Sequence, residues 1–307
     1  SMYHSFAQSG QMEGINLWMD WLALLNSKGL YERLYLTVII QFFSVFFIPY
    51  FFMVLVKRLV KSRYHATAGF FILSCYASLY LYSGDIYRDV IMLFLFLVSI
   101  YIANISMTKS NLSSFVFLLF FMIMSYVLFR LRPYLGISIL LAYITSQIYL
   151  SKNLKTDVLV YFIVVIVVSA SGLLNPLYEY RTGFESAGGG STLNIDLKNA
   201  NVVTILPLFI WSYLGQFFGL YIVNFTALVI FFAESIPIIY FIKNTKFENL
   251  NVRFFRFLLY FVVIYNTVWV LANDNLGTAS RLRMFSYVII ILMFLISKAY
   301  DNHKKFN

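Results

Sequence analysis

The sequence predicts an all-α, polytopic integral membrane protein. It should have about nine transmembrane helices, a re-entrant or interfacial helix and an extracytoplasmic loop. Three observations carry this. Only 12% of the 307 residues are charged, about half the share in soluble domains, roughly 25%. Apolar runs of about 20 residues, the length that crosses a hydrocarbon core, recur along the chain, and mean hydropathy is +0.79. The basic residues fall between these runs rather than within them. Backbone polar groups in lipid must be satisfied within their own segment, so the runs are helices.

Residues 1–34 hold no spanning run and form an extracytoplasmic or interfacial segment. Within it, LWMDWLALL at 17–25 has helical apolar spacing and two tryptophans, as suits a helix lying at the interface. A single transmembrane domain follows over 35–299. Its first span, 35–56, ends at KRLVKSRYH, whose four cations mark the cytoplasmic side. Residues 66–82 return outward, Ser83-Gly84-Asp85 turns the chain, and 86–107 goes in. Segments 112–129 and 134–150 go out and in, and 158–174 rises to the extracytoplasmic loop, 175–218. The apolar part of that loop, 203–217, is short and broken by Pro207 and Gly215, so it reads as re-entrant or interfacial. Segments 219–242, 257–271 and 284–297 complete the set, and 300–307 is a basic cytoplasmic tail.

This topology places 14 of the 23 Lys and Arg inside, ten of them Lys. Seven of the nine outside are Arg: 33, 88, 130, 132, 181, 281 and 283. Ser1 ahead of Met2 reads as a residue left from expression. No cleavable signal pattern is present, and a longer native chain with an upstream helix would account for the outside N-terminus. Richness in Phe, Tyr, Ile, Asn and Lys suits an AT-rich bacterial gene.

The net charge of +10 reads as a topology signal, not as nucleic-acid binding. Cys75, the single cysteine, cannot form an internal disulfide. His4, His65 and His303 are scattered and make no metal set, and no cofactor or nucleotide motif is expected.

The outer arginines carry the functional signal. Arg88 in GDIYRD, Arg132 in FRLRPY (with Arg130 beside it) and Arg281 and Arg283 in GTASRLRM lie at predicted outward-facing helix starts. A cation is mildly unfavourable at a helix N-terminus, so the placements point to a bound anion. Guanidinium and helix N-termini together suit phosphate; the competing reading is snorkelling to lipid headgroups. Asp85 and Asp89 flank Arg88, either as a cap and an ion pair or as a general base. The polar run 175–202 brings Glu179, Arg181 and Glu185, with Tyr178 and Tyr180 suited to stacking on sugars. Gly188–Gly190 suits a hinge, so this run reads as a lid over the arginine-bearing rim. Glu234, inside a span near Pro237, reads equally as functional or structural and lies nearer the inner face.

Three stretches, YSGDIYRDVIMLFLFL, FRLRPYLGISILLAY and NLGTASRLRMFSYVIIILMF, give the chain a resemblance to bacterial Wzy-type O-antigen polymerases and, more distantly, to other GT-C-type membrane glycosyltransferases. The resemblance runs in order over most of 70–300. It implies a multi-pass enzyme of lipopolysaccharide biosynthesis in the bacterial inner membrane, with its active face periplasmic. The implied substrates are undecaprenyl-pyrophosphate-linked glycans, joined by inverting transfer without metal or other cofactor. Membrane lipids and a chain-length regulator are the further implied partners, and nucleic acid is not one. Arg88, Arg130, Arg132, Arg181, Arg281 and Arg283 would hold the pyrophosphate, and Asp85, Asp89, Glu179 or Glu185 would take the acceptor proton. Two other readings remain: an O-antigen ligase or other lipid-linked-sugar glycosyltransferase, and a flippase or transporter of lipid-linked glycan.

Overall fold

The computed structural model describes residues 16–108, 112–148, 160–165, 171, 175, 177–179, 181, 192–193, 195, 197, 204–220, 222, 224–246 and 252–306. Among them the chain is helical. The elements are α1 (Leu17–Ser27), α2 (Arg33–Val60), α3 (Arg63–Ser74), α4 (Ala77–Leu81), α5 (Arg88–Thr108), α6 (Leu112–Leu131), α7 (Pro133–Gln147), α8 (Ile205–Phe217), α9 (Phe225–Asn244), α10 (Arg253–Ala272) and α11 (Leu276–Phe306). Six of these, α2, α5, α6, α9, α10 and α11 (over Leu276–Tyr300), are long and apolar enough to cross a membrane.

Of the other three expected spans, 66–82 is divided between α3 and α4, which break at Cys75. The described part of 134–150 lies largely in α7, Pro133–Gln147, 15 residues long. Of 158–174, only 160–165 and 171 are described. Helices also form at the two places where an interfacial helix and a short re-entrant or interfacial helix were expected, as α1 and α8.

Two spans share a local irregularity with one cause. Each contains a π-helical turn, Phe43–Phe47 in α2 and Phe231–Ser235 in α9, and each turn is followed by Ile-Pro. Proline has no N–H and its ring crowds the carbonyl four residues back. Widening the preceding turn absorbs that misfit without ending the helix.

The chain forms two compact units. The first holds residues 1–140, 241–247 and 288–307. Its α5 buries Val90, Leu93, Phe96, Leu97 and Ile100. The α6–α7 junction is tight: a Cβ on Gly136 would lie 2.4 Å from the Phe129 backbone nitrogen and 2.5 Å from the Ser125 carbonyl. Pro133 opens α7, where a missing N–H costs nothing, and the Arg132 carbonyl accepts from Leu135 N at 3.0 Å. The second unit holds residues 141–240 and 248–287. Its interior is built from α10 and the first part of α11, with Tyr265, Trp269 and Phe285 fully buried. Helix α11 begins at Leu276 because Asn275 caps it, its side-chain oxygen accepting from Thr278 N at 2.9 Å. That is eight residues earlier than the span read from hydropathy, since a cap overrides a run of weakly apolar residues.

Candidate functional site

In the first unit, one cluster gathers around the start of α5 and the α6–α7 turn. Arg88 is the first residue of α5, and its Nη1 donates to the Leu131 carbonyl at 2.7 Å. A cation at a helix start is mildly unfavourable, but this guanidinium reaches the C-terminal end of α6, where carbonyls are unsatisfied and positive charge is favoured. A protein carbonyl therefore supplies compensation that the sequence suggested an anion would give.

Arg132, between α6 and α7, forms an ion pair with Asp89 at 2.9 Å; their side chains are 5% and 0% exposed. The approach lies off the N–H axis, and neither Asp89 oxygen accepts a hydrogen bond from the described residues. Asp89 is thus paired with Arg132, not with its neighbour Arg88. Its position in the first turn of α5 also suits the helix dipole.

Asp85 lies three residues ahead of Arg88, the first residue of α5. It accepts from Ile86 N at 2.8 Å and receives both Nε and Nη2 of Arg33 at 3.1 Å. Arg130 is exposed and meets Asp20 of α1 at 3.7 Å. Trp18 of α1 donates to the Ile86 carbonyl at 3.2 Å, so α1 is fastened beside the cluster. Burial pushes the Tyr31 phenol above its ordinary value; Arg33 opposes this and Asp85 adds to it. The cluster thus holds four guanidiniums (33, 88, 130 and 132) and three carboxylates (20, 85 and 89). Arg88 and Asp85 are half-buried, and Arg130 is its most exposed expected cation.

Among its described residues, the second unit holds two further arginine–carboxylate pairs. Arg181 is buried and ion-paired with Asp274, and its Nη1 donates to the Val270 and Asn273 carbonyls at 2.9 and 2.8 Å. The end of α10 is therefore capped by a guanidinium from the polar stretch. Beside it Asn273 Nδ2 donates to Gln216 Oε1 at 2.6 Å and Gln216 Nε2 donates to the Asn273 backbone carbonyl at 2.8 Å, and Leu193 N donates to the Asp274 carbonyl at 3.2 Å. Tyr178, expected to offer a stacking face, is 3% exposed, so its ring is packed inward. Glu179 is exposed. Glu185, Tyr180 and Gly188–Gly190 lie outside the described residues.

Arg283 meets Glu234 at 3.5 Å, with side chains 5% and 0% exposed. It lies seven residues into α11, about 10 Å along the axis at 1.5 Å per residue. The guanidinium is 5.4 Å from the Tyr287 ring centroid, and Tyr287 donates to the Phe217 carbonyl at 2.5 Å. Gly219 sits at φ +63, and a Cβ there would lie 2.6 Å from Arg283 Nη1. Only glycine meets both demands. Glu234 faces this arginine from the middle of α9. Arg281 is half-buried, with Nη2 3.4 Å from Thr278 Oγ1.

Sequence reading missed the partners: Asp274 for Arg181, Glu234 for Arg283, Arg33 for Asp85 and Asp20 for Arg130. The pairs lie 49 to 110 residues apart in the chain, and local patterns carry no signal for such separations. The one available hint was general: a carboxylate within a span needs a cationic partner. Among the described residues no group of three or more His, Cys, Asp or Glu is placed to hold a metal ion. Comparison with known proteins found no match to this chain among family models, curated proteins or solved structures.

Proposed function

We propose that this protein is a polysaccharide polymerase of the bacterial inner membrane, acting on undecaprenyl-pyrophosphate-linked oligosaccharides at the periplasmic face. The observation that carries the proposal is the first-unit cluster, where Arg88, Arg130 and Arg132 converge on the α6–α7 turn beside Asp85. Arg88 and Arg130 offer half-buried and exposed guanidiniums to a phosphate, whereas Arg132 is held by Asp89 and acts as a positioning residue. Asp85 is the better placed of the two carboxylates near Arg88, because Asp89 is closed to solvent.

In the reaction, the acceptor hydroxyl oxygen attacks the anomeric carbon of the donor sugar. The bond from that carbon to the pyrophosphate oxygen breaks, and its electron pair leaves with the pyrophosphate, whose developing charge the guanidiniums stabilise. The hydroxyl proton passes to the carboxylate, and the anomeric configuration inverts.

The test is the surface-polysaccharide banding pattern of a deletion strain carrying Arg88→Ala or Arg130→Ala. One repeat unit per lipid anchor is expected, with variant protein present in the membrane at parental level. Full-length chains from both variants refute the proposal. Complete absence of sugar on the anchor points to a ligase or flippase.

A further inference from the structure

The densest unneutralised charge in the described residues lies at the α2–α3 turn, away from the cluster above. Lys57, Arg58, Lys61 and Arg63 are all exposed. None has an ion-pair partner among the described residues, and the sequence holds no carboxylate between Glu32 and Asp85.

The turn concentrates this charge. Only Lys61 and Ser62 separate α2 from α3. Lys57 and Lys61 are four residues apart, and the Lys61 amide donates to the Lys57 carbonyl at 2.9 Å, which ties both cations to the end of α2. Like charges at that spacing repel. Lys61 also adopts a left-handed conformation, φ 55, where a glycine would be unstrained. One cation is oriented: the Arg58 guanidinium lies 5.1 Å from the Tyr101 ring centroid, with Nη1 3.4 Å from its hydroxyl. Ser62 caps α3, its oxygen 2.9 Å from Nδ1 of His65, and Tyr64 projects into the surroundings at 78% exposure. An exposed tyrosine beside a cationic turn at the end of a membrane helix marks headgroup depth.

We propose that this turn is a binding site for the phosphate of an anionic phospholipid. The bound headgroup would supply negative charge that no described carboxylate brings to this turn, offsetting the mutual repulsion of its four cations. Phosphatidylglycerol and free phosphate share the recognising chemistry, but only the lipid also places acyl chains along the apolar face of α2. The proposal does not depend on the polymerase reading.

The test uses the full chain in neutral detergent, stripped of lipid and titrated with phosphatidylglycerol, with occupancy read by native mass spectrometry. Each surface cation contributes about fivefold to anionic-lipid binding, so Lys57→Gln/Lys61→Gln should weaken it by roughly 25-fold. Lys57→Arg/Lys61→Arg should retain it, and Lys28→Gln, a charge removed elsewhere, should leave it unchanged. Three results would overturn the proposal: equal binding of phosphatidylcholine, parental affinity in the double glutamine variant, or an equal loss in Lys28→Gln. Saturation by inorganic phosphate with the same charge dependence overturns the lipid assignment.

Discussion

The Asp89–Arg132 pair separates scaffold from chemistry, and its geometry sets the size of the effect. At 2.9 Å, two unit charges attract by about 332/(20 × 2.9), or about 6 kcal/mol, at an effective dielectric of 20. Both side chains are almost wholly buried, so this attraction is set against the cost of desolvating them. Removing one partner leaves the other charge buried alone and should cost about 3–5 kcal/mol. Asp89→Leu and Arg132→Met should each lose that much, read by SDS titration of the purified protein. The double variant should recover to within about 1 kcal/mol of the parent or exceed it, because well-packed apolar replacements of a buried pair are often neutral or stabilising. Chain length should respond differently. If Arg132 positions the turn electrostatically for phosphate, the stable double variant still fails to polymerise in the complementation assay. Single variants as stable as the parent would refute the energetic argument, and long chains from the double variant would remove Arg132 from the proposed machinery.

Two further perturbations follow from backbone geometry. Gly136→Ala drives a methyl to 2.4 Å from the Phe129 backbone, which no side-chain rotation relieves, so α6 and α7 must separate; a loss of about 1–3 kcal/mol is expected in the same titration. Asn275→Ala removes the α11 cap, 2.9 Å from Thr278 N. It should cost about 1 kcal/mol, whereas Asn275→Asp should restore most of it.

How much of this was legible beforehand differs by level. Helix class and the positions of the six long spans follow from composition and run length, because lipid leaves the backbone no alternative within such segments. The arginines at expected helix starts were also visible as a group in the sequence. Their individual environments were not. Arg132, Arg181 and Arg283 look like Arg88 and Arg130 in sequence, yet each of the three is buried against a carboxylate. Tyr178, beside Arg181, looks solvent-facing in a polar stretch and is packed inward.

The sequence by itself determined the solvent: apolar runs bounded by basic turns commit the chain to a membrane, one segment at a time. The tertiary structure decided which charges are spent internally and which remain available. Ion pairing depends on through-space separation and burial, and chain spacing encodes neither. It assigns Asp89, Asp274 and Glu234 to guanidiniums, leaves Arg88 and Arg130 at the cluster's accessible edge, and leaves Lys57, Arg58, Lys61 and Arg63 without a carboxylate among the described residues.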